Sequence, residues 1–125
     1  MPLKVFLVED DEQYAEFIKK SLRKKYQIYS FTTAEDCLVT LKSIKPDVLI
    51  LDYNLPGMTG IELYEKSKPQ LTEDTKVIMM SAIDDGNLVL EFIAKGVRDY
   101  VVKDEKVIQT LSSVIEGEDD IFFDD

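Results

Sequence analysis

The sequence predicts an α/β fold: a five-stranded parallel sheet with five helices on both faces. Five short apolar runs alternate with five segments whose apolar residues recur every three or four positions. The middle run, Val48-Leu49-Ile50-Leu51, is apolar without alternation, as a strand buried on both faces must be. Capping residues, Pro and Gly punctuate the joints, and five alternations of strand and helix at regular spacing imply a parallel sheet with helices on both faces.

Leu3 to Val8 is the first strand, and it runs into Glu9, Asp10, Asp11 and Glu12. Asp11 suits a helix N-cap and Glu12 the positive end of that helix, which leaves Glu9 and Asp10 without a local reason. The helix carries Tyr14, Ala15, Ile18 and Leu22 on one stripe and fades by Lys25. Gln27 to Phe31 is the second strand, with Ile28 and Ser30 on one side and Tyr29 and Phe31 on the other. Thr33 caps a second helix with apolar positions Ala34, Cys37, Leu38, Leu41 and Ile44, which Pro46 stops.

The third strand ends on Asp52, and Leu55-Pro56-Gly57 makes a turn. Gly60 to Ser67 forms a third helix, ended by Lys68-Pro69, and Lys76 to Met80 a fourth strand that stops at Ser81-Ala82. Asp84-Asp85 caps a fourth helix through Val89, Leu90, Phe92 and Ile93, with Gly96 as its left-handed stop. Asp99 to Val102 is the fifth strand and ends at Lys103. Asp104 caps a fifth helix bearing the stripe Val107, Ile108, Leu111, Val114 and Ile115.

A chain of 125 residues with 45% hydrophobic content supports one domain, expected over residues 1–116. The remaining stretch, 117–125 (GEDDIFFDD), reads as an acidic, disordered tail. Much of the net charge of −10 sits there: Glu116 to Asp125 holds six acids and no base, leaving 19 acids against 15 bases elsewhere. Such a balance argues against direct binding to nucleic acid. The absence of histidine excludes zinc-histidine sites and Ser-His triads within the chain. The single Cys37 forms no internal disulfide, and no run reaches the roughly 20 apolar residues of a membrane span, so a cytoplasmic protein is expected.

The strand ends carry the chemistry. Glu9 and Asp10 follow the first strand, Asp52 ends the third, Ser81 follows the fourth and Lys103 the fifth. In a doubly wound sheet these ends share one rim, where such folds collect ligands. Like charges about 4 Å apart repel by roughly 4 kcal/mol at an effective dielectric of 20, so three carboxylates there call for positive charge beyond that of Lys103. Magnesium suits an oxygen-rich site that joins carboxylates to phosphate. Beside it Asp52 is placed as a nucleophile that forms an acyl phosphate.

With Glu9-Asp10, Asp52 followed by Leu55-Pro56-Gly57-Met58-Thr59-Gly60, Ser81-Ala82, Tyr100 and Lys103, residues 3 to 116 resemble the receiver domain of bacterial two-component response regulators, single-domain and chemotaxis-regulator-like. The resemblance implies a flavodoxin-like strand order of 2-1-3-4-5. It implies that Asp52 accepts a phosphoryl group from a sensor histidine kinase or a histidine phosphotransfer protein. Asp10, Asp52 and the backbone carbonyl of Asn54 would bind Mg2+, with Glu9 acting through metal-bound water. Ser81 and Lys103 would hold phosphoryl oxygens, Ala82 would leave room for one, and Tyr100 would turn inward when Ser81 is drawn to the phosphate. The face of the fourth helix, fifth strand and fifth helix would then change for a downstream protein or output domain. The same resemblance leaves open a phosphorylation-dependent dimer.

One departure stands out: Asp104 follows Lys103, where the family usually has a cis-joined proline. A cis bond before a residue other than proline costs about 3 to 4 kcal/mol, so a trans peptide is expected. Two other functional readings compete. A haloacid-dehalogenase-like phosphatase would want an aspartate where the chain has Asn54, and normally a longer chain with a cap. A receiver-shaped interaction module that is not phosphorylated would usually have lost the acceptor, the metal acids or the lysine, all of which are present. Ile83, beside the expected phosphoryl site, offers little help to an attacking water. Ile83→Glu should therefore speed loss of phosphate from the phosphorylated chain, measured as the decay of the phosphorylated mass.

Overall fold

The computed structural model describes residues 2–82 and 85–118. Its central sheet has five parallel strands, β1 (Lys4–Val8), β2 (Gln27–Phe31), β3 (Val48–Asp52), β4 (Lys76–Ser81) and β5 (Asp99–Val102). They stand in the order β2-β1-β3-β4-β5, as the resemblance implied. All five residues of β3 are buried, because β1 and β4 flank it and helices cover both of its faces.

The period-two alternation of the strands divides the core. Val5, Leu7, Ile50, Ile78, Met80 and Val101 point to one side, where α1 (Glu12–Leu22) and α5 (Val107–Ile115) bring Ala15, Ile18, Leu22, Leu111 and Val114. Phe6, Val8, Leu49, Leu51 and Met79 point to the other. There they meet α2 (Ala34–Leu41), α3 (Gly60–Ser67) and α4 (Gly86–Ala94) through Cys37, Leu41, Ile61, Leu63 and Phe92. Ile28 and the pair Tyr29 and Phe31 fall on opposite sides, as their alternation predicts. Burial pushes the Cys37 thiol up to about 12, so it packs as a small apolar group.

Local signals place most helix starts. Asp11 accepts from the amides of Gln13 and Tyr14 at the head of α1, and Thr33 caps α2 through Asp36 N. Asp85 caps α4; its expected companion Asp84 lies outside the described residues. Gly96 closes α4 at φ 101°.

Three expectations need correction. The second helix ends at Leu41 rather than running to Pro46, because Lys42 and Ser43 turn their amides to Val39 and Thr40 in three-residue steps. Asp104 does not cap α5 directly: its carboxylate accepts from Lys106 N at 2.9 Å, and the helix starts one turn on, at Val107. Leu55-Pro56-Gly57 is more than a turn. It joins a two-residue antiparallel hairpin, Asn54–Leu55 against Met58–Thr59, with Gly57 at φ 82°. On α4 only Phe92 is buried, while Leu90 and Ile93 are 64% and 58% exposed. One and two residues from Phe92 are about 100° and 200° around a helix, so burying Phe92 turns both outward.

In the expected tail, Gly117 (φ 81°) and Glu118 belong to the end of α5: the Gly117 amide bonds to Val114 O and that of Glu118 to Ser113 O at 2.7 Å. Residues 119–125, with Ile121-Phe122-Phe123, lie outside the described residues. Among the described residues no helix is long and apolar enough to cross a membrane.

The joint of β3 to α3 is tight. Gly60 N bonds to Tyr53 O at 2.7 Å, and a Cβ on Gly60 would stand 2.6 Å from the carbonyl oxygen of Asp52 and 2.7 Å from Met79 Sδ. Only glycine lets the head of α3 approach the strand end so closely. Gly60→Ala should destabilise the fold by about 1 to 3 kcal/mol, read from urea denaturation, because the close neighbour is backbone and must shift.

Candidate functional site

Parallel pairing brings the expected residues to one end of the sheet. β1 stops at Val8, and Glu9 N continues the ladder to Phe31 O at 3.0 Å, which fixes the start of the acidic run. Asp52 pairs with Met80, one step before Ser81, and Lys103 N bonds to Ser81 O at 2.8 Å. Glu9, Asp10, Asp52, Ser81 and Lys103 are thus rim neighbours, although 94 positions separate the first from the last.

Side chains close the site. Lys103 Nζ lies 2.6 Å from Glu9 Oε1 and 3.0 Å from Asp52 Oδ2. Asp52 Oδ1 accepts from the amide of Asn54 at 3.3 Å, and Glu9 Oε2 accepts from that of Asp11 at 3.1 Å. Glu9 and Asp52 are only 1% and 3% exposed, whereas Asp10 stands open to solvent. The ammonium also lies 4.9 Å from the centroid of the Tyr14 ring.

Burial dominates the electrostatics. It pushes the Glu9 carboxyl up to about 7, Asp52 adds to the rise, and Lys103 opposes it. Burial alone would lower Lys103, but its contacts with Glu9 and Asp52 outweigh that and hold it above its ordinary value. The peptide between Lys103 and Asp104 is trans, as expected, and Lys103 still reaches both carboxylates.

The donor set fits a magnesium ion. One carboxylate oxygen each from Glu9, Asp10 and Asp52 lies within 4.8 Å of the others, an oxygen cluster of the kind magnesium takes while keeping several of its waters. Asn54 follows in the hairpin, tied to Asp52 by its amide, so its backbone is adjacent to the same carboxylate.

The switch candidates lie on the α4 side. Tyr100 is half-buried with its ring 5.3 Å from Phe92, and Tyr53, next to Asp52, lies 5.6 Å from the same ring. Ser81 is buried and Ala82 exposed, while Ile83 lies outside the described residues.

Three features escaped the sequence reading. Thr59 and Glu62 form a reciprocal capping box at the head of α3, a pattern that T-x-x-E carries openly. Tyr14 and Phe92 gave no such signal, since each falls on a stripe whose spacing says only that it packs.

With this geometry in place, a family model described as the response regulator receiver domain matches residues 5–115. The chain belongs to that family. The phosphate regulon transcriptional regulatory protein PhoB of Rhizobium meliloti is 32% identical over 103 residues, which are 80% of this chain and 45% of that protein. The chain thus spans about half the length of such regulators. The chemotaxis protein CheY of Listeria monocytogenes is 31% identical over 100 residues, 78% of this chain and 83% of its own. The response regulator TrrA of Thermotoga maritima, solved in complex with Mg(2+)-BeF, superposes with a TM-score of 0.77 at 26% identity, covering 93% of this chain and 98% of that one. Membership of the receiver family makes the chain a phosphorylation-activated signalling switch.

The rim has a pH signature when metal is withheld. The folded Glu9 carboxyl titrates near 7 instead of its ordinary 4.5, so its contribution to stability is complete below about 4.5 and is lost as pH rises through 7. In EDTA the urea-denaturation free energy should fall over that window by at most about 3 kcal/mol, and Glu9→Gln should flatten the fall.

Proposed function

We propose that Asp52 is the phosphoryl acceptor of this receiver domain. An Asp52 carboxylate oxygen forms the new bond to phosphorus as the bond from phosphorus to the donor breaks, its electron pair leaving with the donor. The donor is a phosphohistidine on a sensor kinase or phosphotransfer protein, or a small acyl phosphate. The observation that carries this reading is the Lys103 ammonium, held by two buried carboxylates from separate strand ends.

Asp10, Asp52 and the Asn54 carbonyl would hold the magnesium ion directly, with Glu9 acting through water. When bound, the ion supplies positive charge to the incoming phosphate, which Asp52 would otherwise repel. Lys103 leaves its carboxylates to neutralise a phosphoryl oxygen, and the Ser81 hydroxyl binds another, with Ala82 leaving room for it. Glu9, buried and no longer paired, then depends on the metal for its countercharge.

The output is a population shift. Drawing Ser81 to the phosphate moves the loop that follows, and Tyr100 turns further inward beside Phe92. The face of α4, β5 and α5 changes with it for a downstream protein or an output domain. Residues 1–116 act as the receiver unit of a cytoplasmic signalling system. The exposed Leu90 and Ile93 on α4 support that face as one for a protein partner.

Incubation with Mg2+ and acetyl phosphate should add one phosphoryl group to the intact mass of the chain, and Asp52→Asn or EDTA should abolish the addition. An addition that survives Asp52→Asn would move the acceptor elsewhere. Steady release of phosphate would point to a phosphatase, and an unchanged mass to a receiver-shaped module without phosphorylation.

A further inference from the structure

Tyr14 stands beside the acidic rim and has no part in the mechanism above. It is the third residue of α1, and its amide donates to Asp11 Oδ1 at 3.1 Å, so the helix cap next to Asp10 fixes where its side chain begins. The ring is half-buried against the core between α1 and α5, with Phe17 at 6.0 Å between centroids. Its face receives the Lys103 ammonium at 4.9 Å, inside the range of a cation-π contact. Its hydroxyl oxygen is buried and has no hydrogen-bond partner among the described residues.

We infer that Tyr14 is a positioning residue for Lys103: its ring is the third wall of a socket that Glu9 and Asp52 complete, and it holds the ammonium over the phosphoryl site. The inference rests on Asp52 being the acceptor. The topology makes such a wall useful. β5 is two strands from β3, about 10 Å at ordinary strand spacing, so Lys103 must lay its flexible stem across the end of β4 to reach Asp52. Both carboxylate walls change when chemistry occurs, since joining a phosphoryl group to Asp52 alters the charge that Lys103 faces. The ring is neutral throughout, so its attraction for the ammonium does not change when Asp52 takes up the phosphoryl group. A hydroxyl with no partner makes the ring face, rather than the oxygen, the part of Tyr14 that acts.

The test compares Tyr14→Leu, which removes the ring, with Tyr14→Phe, which keeps it. Phosphorylation by acetyl phosphate with Mg2+ should slow by roughly 3- to 10-fold in Tyr14→Leu, the size of a partly shielded ammonium-ring contact, and Tyr14→Phe should restore the wild-type rate. The second readout needs no phosphorylation. In metal-free protein labelled on lysine, the Lys103 Hε resonances should be displaced upfield by the ring current in wild type and Tyr14→Phe, and should return to the ordinary lysine position in Tyr14→Leu. Tyr14→Met takes the place of Tyr14→Leu if the latter does not fold. An undisplaced Lys103 resonance in wild type, a wild-type rate in the ring-less variant, or equal slowing in Tyr14→Phe would each overturn the inference. A wild-type chain that takes no phosphoryl group would instead defeat the acceptor assignment, while the lysine spectrum would still decide the contact.

Discussion

The ammonium of Lys103, 2.6 Å from Glu9 and 3.0 Å from Asp52, is the contact on which the rim depends. It makes two buried carboxylates tolerable side by side in a place where each would otherwise have to leave or take up a proton. One positive charge does not balance three acids, and burial, with a smaller push from Asp52, holds the Glu9 carboxyl up to about 7 even with Lys103 beside it. A site left short of positive charge favours whatever brings it, and a divalent cation with oxygen-seeking chemistry is the simplest supply.

Everything around that contact serves to hold strand ends in place. β3, buried on all sides, puts Asp52 at its last position, and β1 and β4 on its flanks set the depth of Glu9 and Ser81 by register. Gly60 lets α3 press to within bonding distance of the segment after Asp52, so the strand end has little freedom to move. The aromatic row Tyr53, Phe92 and Tyr100 runs from the residue beside Asp52 to the edge strand, with α4 supplying its middle member. Packed rings exchange one arrangement for another rather than deform smoothly, which suits them to carry a local charge event toward an outer face.

Much of this was legible before any coordinates. Asp11, Thr33 and Gly96 act where their chemistry placed them, because a cap or a left-handed stop is a local event that needs only its own helix. Misreadings arose where two local signals competed. Pro46 looked like the end of the second helix, yet the chain had already tightened after Leu41; Asp104 looked like a cap, yet its carboxylate serves the turn before the helix. Leu90, Phe92 and Ile93 stand on the expected fourth helix, but their spacing does not say which side of it meets the sheet, and only Phe92 does.

The sequence by itself determined the α/β class, the five strand ends and the residue types standing on them, since alternation, caps and breakers are written over a few neighbouring positions. Its likeness to the receiver family supplied the strand order. Only the tertiary structure decided that Lys103 bridges Glu9 and Asp52, that Gly60 meets the backbone of Asp52, and that the Tyr14 ring faces the ammonium. Those contacts join residues from separate segments, and their distances are set by the packing of the whole sheet, which no local pattern encodes.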